Sequence, residues 1–300
     1  MNRRDFLSNS AAAAVAAGLA PRASHAVAAE PADAWKVGCF TRPWADHEYT
    51  IALDAIAEAG FTWCGFMNTT RNGKGGQMLN WDTPLEEAAA MAEAAKLRGL
   101  KVAAGWGGRF PTEQGLDAGI AGLKKLIDVS EAATVPDILL GGEGRAEFLE
   151  VYESAIKACL DYAAGKGVRI CMKPHDTFNF TGEDCKKTMQ RIGHPNFAFY
   201  YDPGNILHYS KGQRAPEMDS ESIGDVVHGM CVKDYREGQS VNITPGTGQV
   251  DFPKVMANLR AAGFQGGPMI IECLNPGTLD ELLAEAKKTK AFVEQLIAGV

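Results

Sequence analysis

The chain has 300 residues, with 37 acidic against 30 basic side chains and a formal net charge of −7 at pH 7. An acidic chain without a block of basic residues is poorly suited to neutralising phosphates, so nucleic acid is not an expected partner. After the first thirty residues no run reaches the roughly 18 consecutive apolar residues of a transmembrane helix, so no membrane association is predicted for the mature protein.

The first 29 residues predict an export signal. Arg3-Arg4 stand before Phe6-Leu7, a weakly apolar run follows over residues 10–20, and small residues at Ala26-Val27-Ala28 suit a cleavage site. This pattern is typical of secretory signals, and the paired arginines resemble the twin-arginine type, which exports folded proteins. We therefore predict a signal peptide over 1–29, a folded domain over 30–300 and a periplasmic location. The alternative is a disordered alanine-rich tail.

Seven cysteines are present, without C-x-x-C spacing. Five of them lie in or at the end of apolar, strand-like runs, where cysteine usually acts as a small buried hydrophobe. The sequence therefore predicts free, buried thiols rather than a disulfide framework.

From residue 36 onward, short apolar runs alternate with longer segments of helical periodicity. Strands that are apolar on both faces and alternate with helices predict a parallel sheet covered by helices. Eight such units in the mature chain indicate an α/β fold, a single (β/α)8 TIM barrel. A doubly wound sheet is disfavoured because the first strand runs into Cys39-Phe40-Thr41-Arg42 with no glycine fingerprint. The predicted strands are 36–40, 61–66, 101–106, 137–142, 168–173, 197–202, 226–232 and 268–273.

Polar residues gather where these strands end, and in a TIM barrel the carboxyl ends of the strands carry the functional groups. Residues two apart share a strand face, which aligns Lys173 with His175 and Tyr200 with Asp202. Glu272 follows the apolar string Met269-Ile270-Ile271, where a carboxylate is costly unless it is paired or bound to a cation.

Glu143, His175, Asp202 and Glu272 come from four strands that can converge on the barrel axis. Oxygen and imidazole ligands suit Mn²⁺, Mg²⁺, Co²⁺ or Zn²⁺, so we predict a divalent metal ion held by these four side chains. Structural roles are the alternatives for these strand-end residues. Glu143 would cap a helix, Asp202 would be a turn residue, and Lys173 and Lys233 would be ion-pair partners.

The sequence resembles the sugar isomerase/epimerase superfamily with a xylose isomerase-like TIM barrel. The resemblance spans residues 36–298 and is most specific at the glycine-rich turn 244–252. The segments that carry it are Lys173-Pro174-His175, Tyr201-Asp202-Pro203-Gly204-Asn205, Val232-Lys233-Asp234, Thr244-Pro245-Gly246-Thr247-Gly248-Gln249-Val250-Asp251-Phe252 and Ile271-Glu272.

The resemblance implies a divalent metal ring from the later strands, on which a sugar's adjacent oxygens bind while acid/base groups move a proton. Family members often carry Glu, Asp, His and Glu there. Asp202 and Glu272 match, whereas Lys173 and His175 replace the first glutamate, and Cys231 stands where the metal histidine is usual. Either Glu143 and His175 complete an altered site, or the metal has been lost and a lysine supplies its charge.

These observations predict a periplasmic, metal-dependent enzyme, an isomerase or epimerase that abstracts a proton beside the carbonyl of a small-molecule carbohydrate. In this prediction Lys173, Lys233 and Glu143 are catalytic, and Trp106, Arg109, Asn205 and His228 contact the substrate. A keto-glycoside lyase would use the same first step, and a non-catalytic sugar-binding barrel would follow from loss of the metal. The prediction is compatible with a homo-oligomer.

Overall fold

The computed structural model describes residues 35–175, 178–238 and 241–299; the predicted signal peptide lies outside these segments. Eight parallel strands of the described chain close into a barrel in the order β1-β10-β9-β8-β7-β6-β5-β2, which confirms the predicted (β/α)8 fold. The strands are β1 Trp35–Phe40, β2 Trp63–Phe66, β3 Asn68–Arg71, β4 Lys74–Gln77, β5 Lys101–Gly108, β6 Asp137–Leu140, β7 Arg169–Met172, β8 Phe197–Tyr201, β9 Val227–Val232 and β10 Gly267–Ile271.

Helices follow the barrel strands and cover the outside of the sheet. They are α1 Tyr49–Glu58, α2 Leu85–Lys96, α3 Leu116–Ala132, α4 Ala146–Gly165, α5 Gly182–Ile192, α6 Pro203–Tyr209, α7 Pro216–Asp219, α8 Phe252–Ala261 and α9 Leu279–Ala298. Two helix ends show residues typical of helix termini. Gly193 ends α5 in the left-handed region, and Asp251 caps α8 by accepting a hydrogen bond from the backbone N–H of Lys254. Across the described segments, none of these helices combines the length and apolar character needed to cross a bilayer.

Two apolar clusters surround the sheet, one between strands and helices and a smaller one inside the barrel. The inner cluster includes Phe40, Cys171, Tyr200, Cys231 and Ile270. All seven cysteines lie in the described segments, and each is a free, buried thiol, as predicted.

The inner cluster determines which polar side chains meet at the carboxyl end of the barrel. Because side chains two apart in a strand share a face, the residue two positions after each inner residue continues the inward face. Those positions hold a charged side chain on five of the strands, and they form a polar layer above the apolar one. The members of this polar layer are Arg42, Lys173, Asp202, Lys233 and Glu272.

Candidate active site at the carboxyl end of the barrel

Glu272 lies at the centre of the polar layer and has no solvent-exposed surface. Its Oε1 accepts a hydrogen bond from Nη1 of Arg42 at 2.6 Å and forms an ion pair with Nζ of Lys233 at 2.7 Å. Its Oε2 accepts from Nζ of Lys173 at 2.6 Å. A buried carboxylate is tolerated only with charged or hydrogen-bonding partners, and three cationic groups supply them here.

Asp202 joins the same network and also caps the next helix. Its Oδ2 lies 3.0 Å from Nζ of Lys173 and 3.2 Å from Nζ of Lys233. Its Oδ1 accepts from the backbone N–H of Asn205 at 3.0 Å, in the first turn of α6. The side-chain oxygen of Asn205 accepts a hydrogen bond from Nζ of Lys233 at 2.9 Å, so both lysines are held in place.

The partners of the two central groups determine their protonation. Burial alone would raise the pKa of Glu272, but the charges of Lys173, Lys233 and Arg42 outweigh burial and hold that pKa well below its usual range. Burial alone would lower the pKa of Lys173, but Cys231, Glu272 and Asp202 raise it well above its ordinary value. Lys173 is therefore an ammonium ion at neutral pH, suited to holding negative charge and unsuited to acting as a nucleophilic amine.

A cavity of about 330 Å³ opens above the polar layer. Its volume falls at the lower end of the range of small-molecule sites. The residues that line it are Arg42, Met67, Asn68, Trp106, Lys173, His175, Asn205, His208, Tyr209, Lys233, Val241, Asn242 and Glu272.

One wall of this cavity carries aromatic rings. The Lys173 ammonium lies 5.2 Å from the centroid of the Trp106 ring, and the imidazole of His175 lies 5.8 Å from the same ring. The hydroxyl of Tyr209 is 2.8 Å from Nε2 of His175. The rings fit here because β6 continues into Gly141, where a Cβ atom would come within 2.9 Å of Trp106. The wall therefore combines a flat apolar face with an imidazole that can exchange a proton.

The donor atoms of Asp202, Cys231 and Glu272 lie within 4.8 Å of one another, close enough to share an ion. The arrangement around them does not fit one, because each carboxylate oxygen already accepts a hydrogen bond and two ammonium groups stand between the carboxylates. Burial also raises the pKa of Cys231 well above its usual value, which disfavours the thiolate form that binds metals. The charge that a divalent ion would supply comes from Lys173 and Lys233.

Comparison with known proteins is consistent with this architecture. The family model described as "Xylose isomerase-like TIM barrel" matches residues 53–296. The chain belongs to this family. A search of curated proteins found no match.

Solved structures of the same fold include D-allulose 3-epimerase from Methylomonas sp. in complex with D-allulose, at 17% identity and a TM-score of 0.68, covering 87% of this chain and 96% of that one. An L-ribulose 3-epimerase shares 14% identity at a TM-score of 0.68, covering 88% and 95%. The IolI protein with a bound zinc atom shares 17% identity at a TM-score of 0.67, covering 86% and 97%. At these identities the likeness establishes the fold.

Within this xylose isomerase-like barrel, most of the predicted site residues come together. Trp106, Lys173, His175, Asn205, Lys233 and Glu272 line the cavity, and Asp202 lies directly beneath it. His175, predicted as a metal ligand, instead contacts Tyr209 and Trp106 on the wall. Lys173 and Lys233 occupy the centre of the layer, as ion-pair partners of the two carboxylates.

Glu143 and Arg109, the other residues predicted at this end, lie outside the cavity lining. Glu143 is buried against Arg145, whose Nε and Nη2 lie 2.8 and 2.9 Å from its two oxygens, and Thr112 also donates to it. A carboxylate held by its own cation is not available as a metal ligand or a base. Arg109 lines a separate, smaller cavity together with Arg145 and Glu113.

His228, predicted to contact substrate, lies in a different network. Its Nε2 is 3.0 Å from Oδ2 of Asp137 and 2.8 Å from Nη1 of Arg169, the first residues of β6 and β7. Tyr200 donates to the same Asp137 oxygen at 2.7 Å. These contacts place His228 at the amino end of the barrel, so the structure does not bring it to the cavity.

Sequence reasoning missed several lining residues, including Arg42, Asn242, His208 and Tyr209. A signal for Arg42 was present, because it stands two positions after the inner residue Phe40, in the same relation as Lys173 to Cys171. His208 and Tyr209 end a short helix and carry no comparable pattern. Burial, followed by the charge of Lys233, lowers the pKa of His208, which keeps this ring neutral at neutral pH.

Proposed function

We propose that the protein is an isomerase or epimerase that acts on a small carbohydrate by moving a proton beside a carbonyl group. The observation that carries this proposal is the cationic layer of Lys173, Lys233 and Arg42 beneath a cavity whose wall holds an imidazole. The family membership and the epimerases of the same fold support it.

In the proposed reaction the carbonyl oxygen of the sugar lies against Nζ of Lys173, which has one N–H group left for a ligand. His175 removes the proton from the neighbouring carbon. The electron pair of that C–H bond forms a carbon–carbon double bond, and the π electrons of the carbonyl move onto its oxygen to give an enediolate. Fixed cations in a site shielded from water stabilise the developing negative charge. Protonation of the former carbonyl carbon by His175, with the neighbouring hydroxyl proton passing to the former carbonyl oxygen, gives the isomer. Protonation of the original carbon on its opposite face by a solvent water molecule, with His175 returning its proton to solvent, gives the epimer.

In this proposal the ammonium groups carry the charge that the sequence assigned to a divalent ion. A dication placed between Asp202 and Glu272 would stand a few ångströms from two ammonium groups, where like charges repel strongly. The divalent ion therefore stays a prediction that the side-chain arrangement does not favour, and a reaction independent of added metal is expected.

A non-catalytic sugar-binding barrel is the second candidate. The observation that favours it is that each oxygen of Asp202 and Glu272 already accepts a hydrogen bond, which leaves no free carboxylate to act as a base. The two candidate functions differ in the role of His175. The enzyme requires proton transfer by this residue, whereas a sugar-binding protein does not.

Hydrogen exchange with solvent distinguishes them. The purified protein is incubated in D₂O with ketoses that include D-fructose, D-allulose and L-ribulose, with and without EDTA, and deuterium at the carbon beside the carbonyl is followed by NMR. We expect exchange that EDTA does not abolish and that falls about 100-fold or more in His175→Gln. Binding without exchange would support the sugar-binding barrel.

Metal analysis completes the test. Elemental analysis of protein purified without chelator, beside the Glu272→Gln variant, is expected to find no stoichiometric divalent ion. One ion per chain that is lost in Glu272→Gln, with exchange restored only by Mn²⁺, Co²⁺ or Zn²⁺, would overturn the lysine-based reaction. The periplasmic location is a further proposal, tested by fusing residues 1–29 to a reporter that is active only after twin-arginine export.

A further inference from the structure

The charged side chains at the cavity do not balance. Three cations, Arg42, Lys173 and Lys233, surround two carboxylates, Asp202 and Glu272, which leaves an excess of one positive charge. The sign is opposite to the net charge of the whole chain, which is −7. A buried excess charge is costly unless a partner of opposite sign compensates it.

Among the described residues, neither Glu143 nor Asp234 forms an ion pair with these three cations. Glu143 is neutralised by Arg145. The carboxylate of Asp234 accepts backbone N–H groups of Tyr235, Gly246, Gly248 and Val250, and so serves the loop beside the cavity.

The polar layer also has more hydrogen-bond donors than acceptors left for a ligand. Nζ of Lys173 donates to two carboxylates, which leaves one of its three N–H groups for a ligand. Arg42 donates through Nη1 to Glu272 and through Nη2 to Asn242. A guanidinium has five N–H donors, so the others are available to a ligand. The carboxylates are fully buried, and each oxygen already accepts. The layer therefore offers donors and positive charge to a ligand, and few acceptors for sugar hydroxyls.

Arg42 is the accessible member of the layer. Its side chain keeps 29% of its surface exposed, whereas Lys173 keeps 2%. A guanidinium at the edge of a partly closed cavity matches the two oxygens of a carboxylate, and such charge-assisted pairs are stronger than neutral hydrogen bonds.

From these charges and donors we propose that the ligand is a sugar acid, whose carboxylate binds Arg42. The inference rests on the proposed function and narrows its substrate to keto-sugars that carry one carboxylate, such as hexulosonates or keto-uronates. One carboxylate matches the excess of one positive charge, whereas a phosphate ester carries a charge of about −1.5 to −2.

Matched ligands test the proposal. Calorimetric titration compares D-fructuronate with D-fructose, and D-glucuronate with D-glucose, at about 20 and 200 mM salt, with D-fructose 6-phosphate as a separate arm. We expect each acid to bind about 10-fold or more tightly than its neutral counterpart, with an advantage that shrinks as salt rises. Equal binding of acid and neutral sugar, or tighter binding of the phosphate, would overturn the inference.

Variants identify the residue responsible. Arg42→Gln is expected to weaken D-fructuronate about 10-fold while changing D-fructose by less than about 2-fold, and Arg42→Lys is expected to fall between Arg42→Gln and the unmodified protein. Lys187→Gln, which makes the same charge change on the outer face of α5, is the control and should leave both affinities unchanged. An equal loss in Arg42→Gln and Lys187→Gln would contradict a local role for Arg42.

The exchange assay in D₂O, repeated with D-fructuronate, separates this inference from the proposed function. Acids that bind selectively but never exchange a proton would refute the reaction and leave the ligand class standing. Neutral ketoses that bind and exchange as well as the acids would refute the ligand class and leave the reaction standing. Failure of every sugar to bind would refute both.

Discussion

At the scale of single residues, Asp202 has two roles that the sequence presents as alternatives. One oxygen caps α6 through the N–H of Asn205, and the other accepts a hydrogen bond from Lys173 and forms an ion pair with Lys233. A turn residue and a site residue are therefore the same side chain here. The cap fixes the carboxylate, and the fixed carboxylate positions the lysines.

The charge balance of the polar layer predicts which substitution is most harmful. Lys173→Met leaves two cations for two carboxylates, with Oε2 of Glu272 as the newly unpaired acceptor, and should cost about 1–3 kcal/mol of unfolding free energy. Glu272→Gln leaves three cations, of which Lys173 and Lys233 are buried, for one carboxylate and should cost about 3–5 kcal/mol. Urea unfolding of both variants measures the order, and a larger loss in Lys173→Met would contradict the charge count.

The sequence predicted the members of this layer better than their contacts. The predicted strand ends correctly brought Lys173, Asp202, Lys233 and Glu272 to one end of the barrel, and period-two alternation placed Lys173 and Asp202 on inward faces. It did not reveal that Arg145, two positions after Glu143, captures that carboxylate. Which neighbour a side chain selects depends on loop conformation, and alternation within a strand carries no information about that.

At the scale of secondary-structure elements, the eight barrel strands were predicted within a few residues of their observed bounds. The hairpin formed by β3 and β4 was missed. Its turn is Asn72-Gly73, with φ of 52° and 72°, a common signal for a two-residue hairpin. The flanking residues are polar, without the apolar alternation used to detect strands, so the turn signal stood alone.

The glycine-rich turn that carried the family resemblance has a structural explanation. Asp234 follows Lys233 in the polar layer, and its carboxylate accepts from the backbone N–H groups of Gly246 and Gly248 at 2.9 and 2.8 Å. The loop is therefore tied to the residue next to a site lysine, which couples the loop's conformation to the position of Lys233.

Gly248→Ala tests this coupling. A Cβ atom at Gly248 would overlap the Asp234 carboxylate and the carbonyl oxygen of Tyr235, so backbone or carboxylate must shift. We expect a loss of about 1–3 kcal/mol in unfolding free energy, together with weaker ligand binding. Gly76→Ala in β4 is the control, because no atom lies within 4 Å of its added Cβ. Equal effects of the two substitutions would show that the loop does not support the site.

At the scale of the whole molecule, the barrel carries two polar networks with different roles. The carboxyl end holds the cationic layer and the cavity. The amino end holds Asp137 with Tyr200, His228 and Arg169. Conservation of a TIM barrel's amino end is usually a matter of stability rather than chemistry, and this network lies apart from the cavity-lining residues.

Tyr200→Phe tests that separation, since it removes one donor to Asp137 and keeps the ring. Burial alone would raise the pKa of Asp137, but His228, Tyr200 and Arg169 hold it below its usual value. The stabilisation is therefore present above the unfolded pKa of about 3.9 and is lost as pH falls through the lower folded value. Tyr200→Phe should cost about 1–3 kcal/mol at pH 7, and less at a second, acidic pH chosen below the usual aspartate pKa of about 3.9, because the stabilisation falls as Asp137 protonates. Urea unfolding at both pH values measures this loss, while ligand affinity at pH 7 should stay within about 2-fold. A loss of affinity as large as that of Arg42→Gln would mean that the two ends of the barrel are coupled.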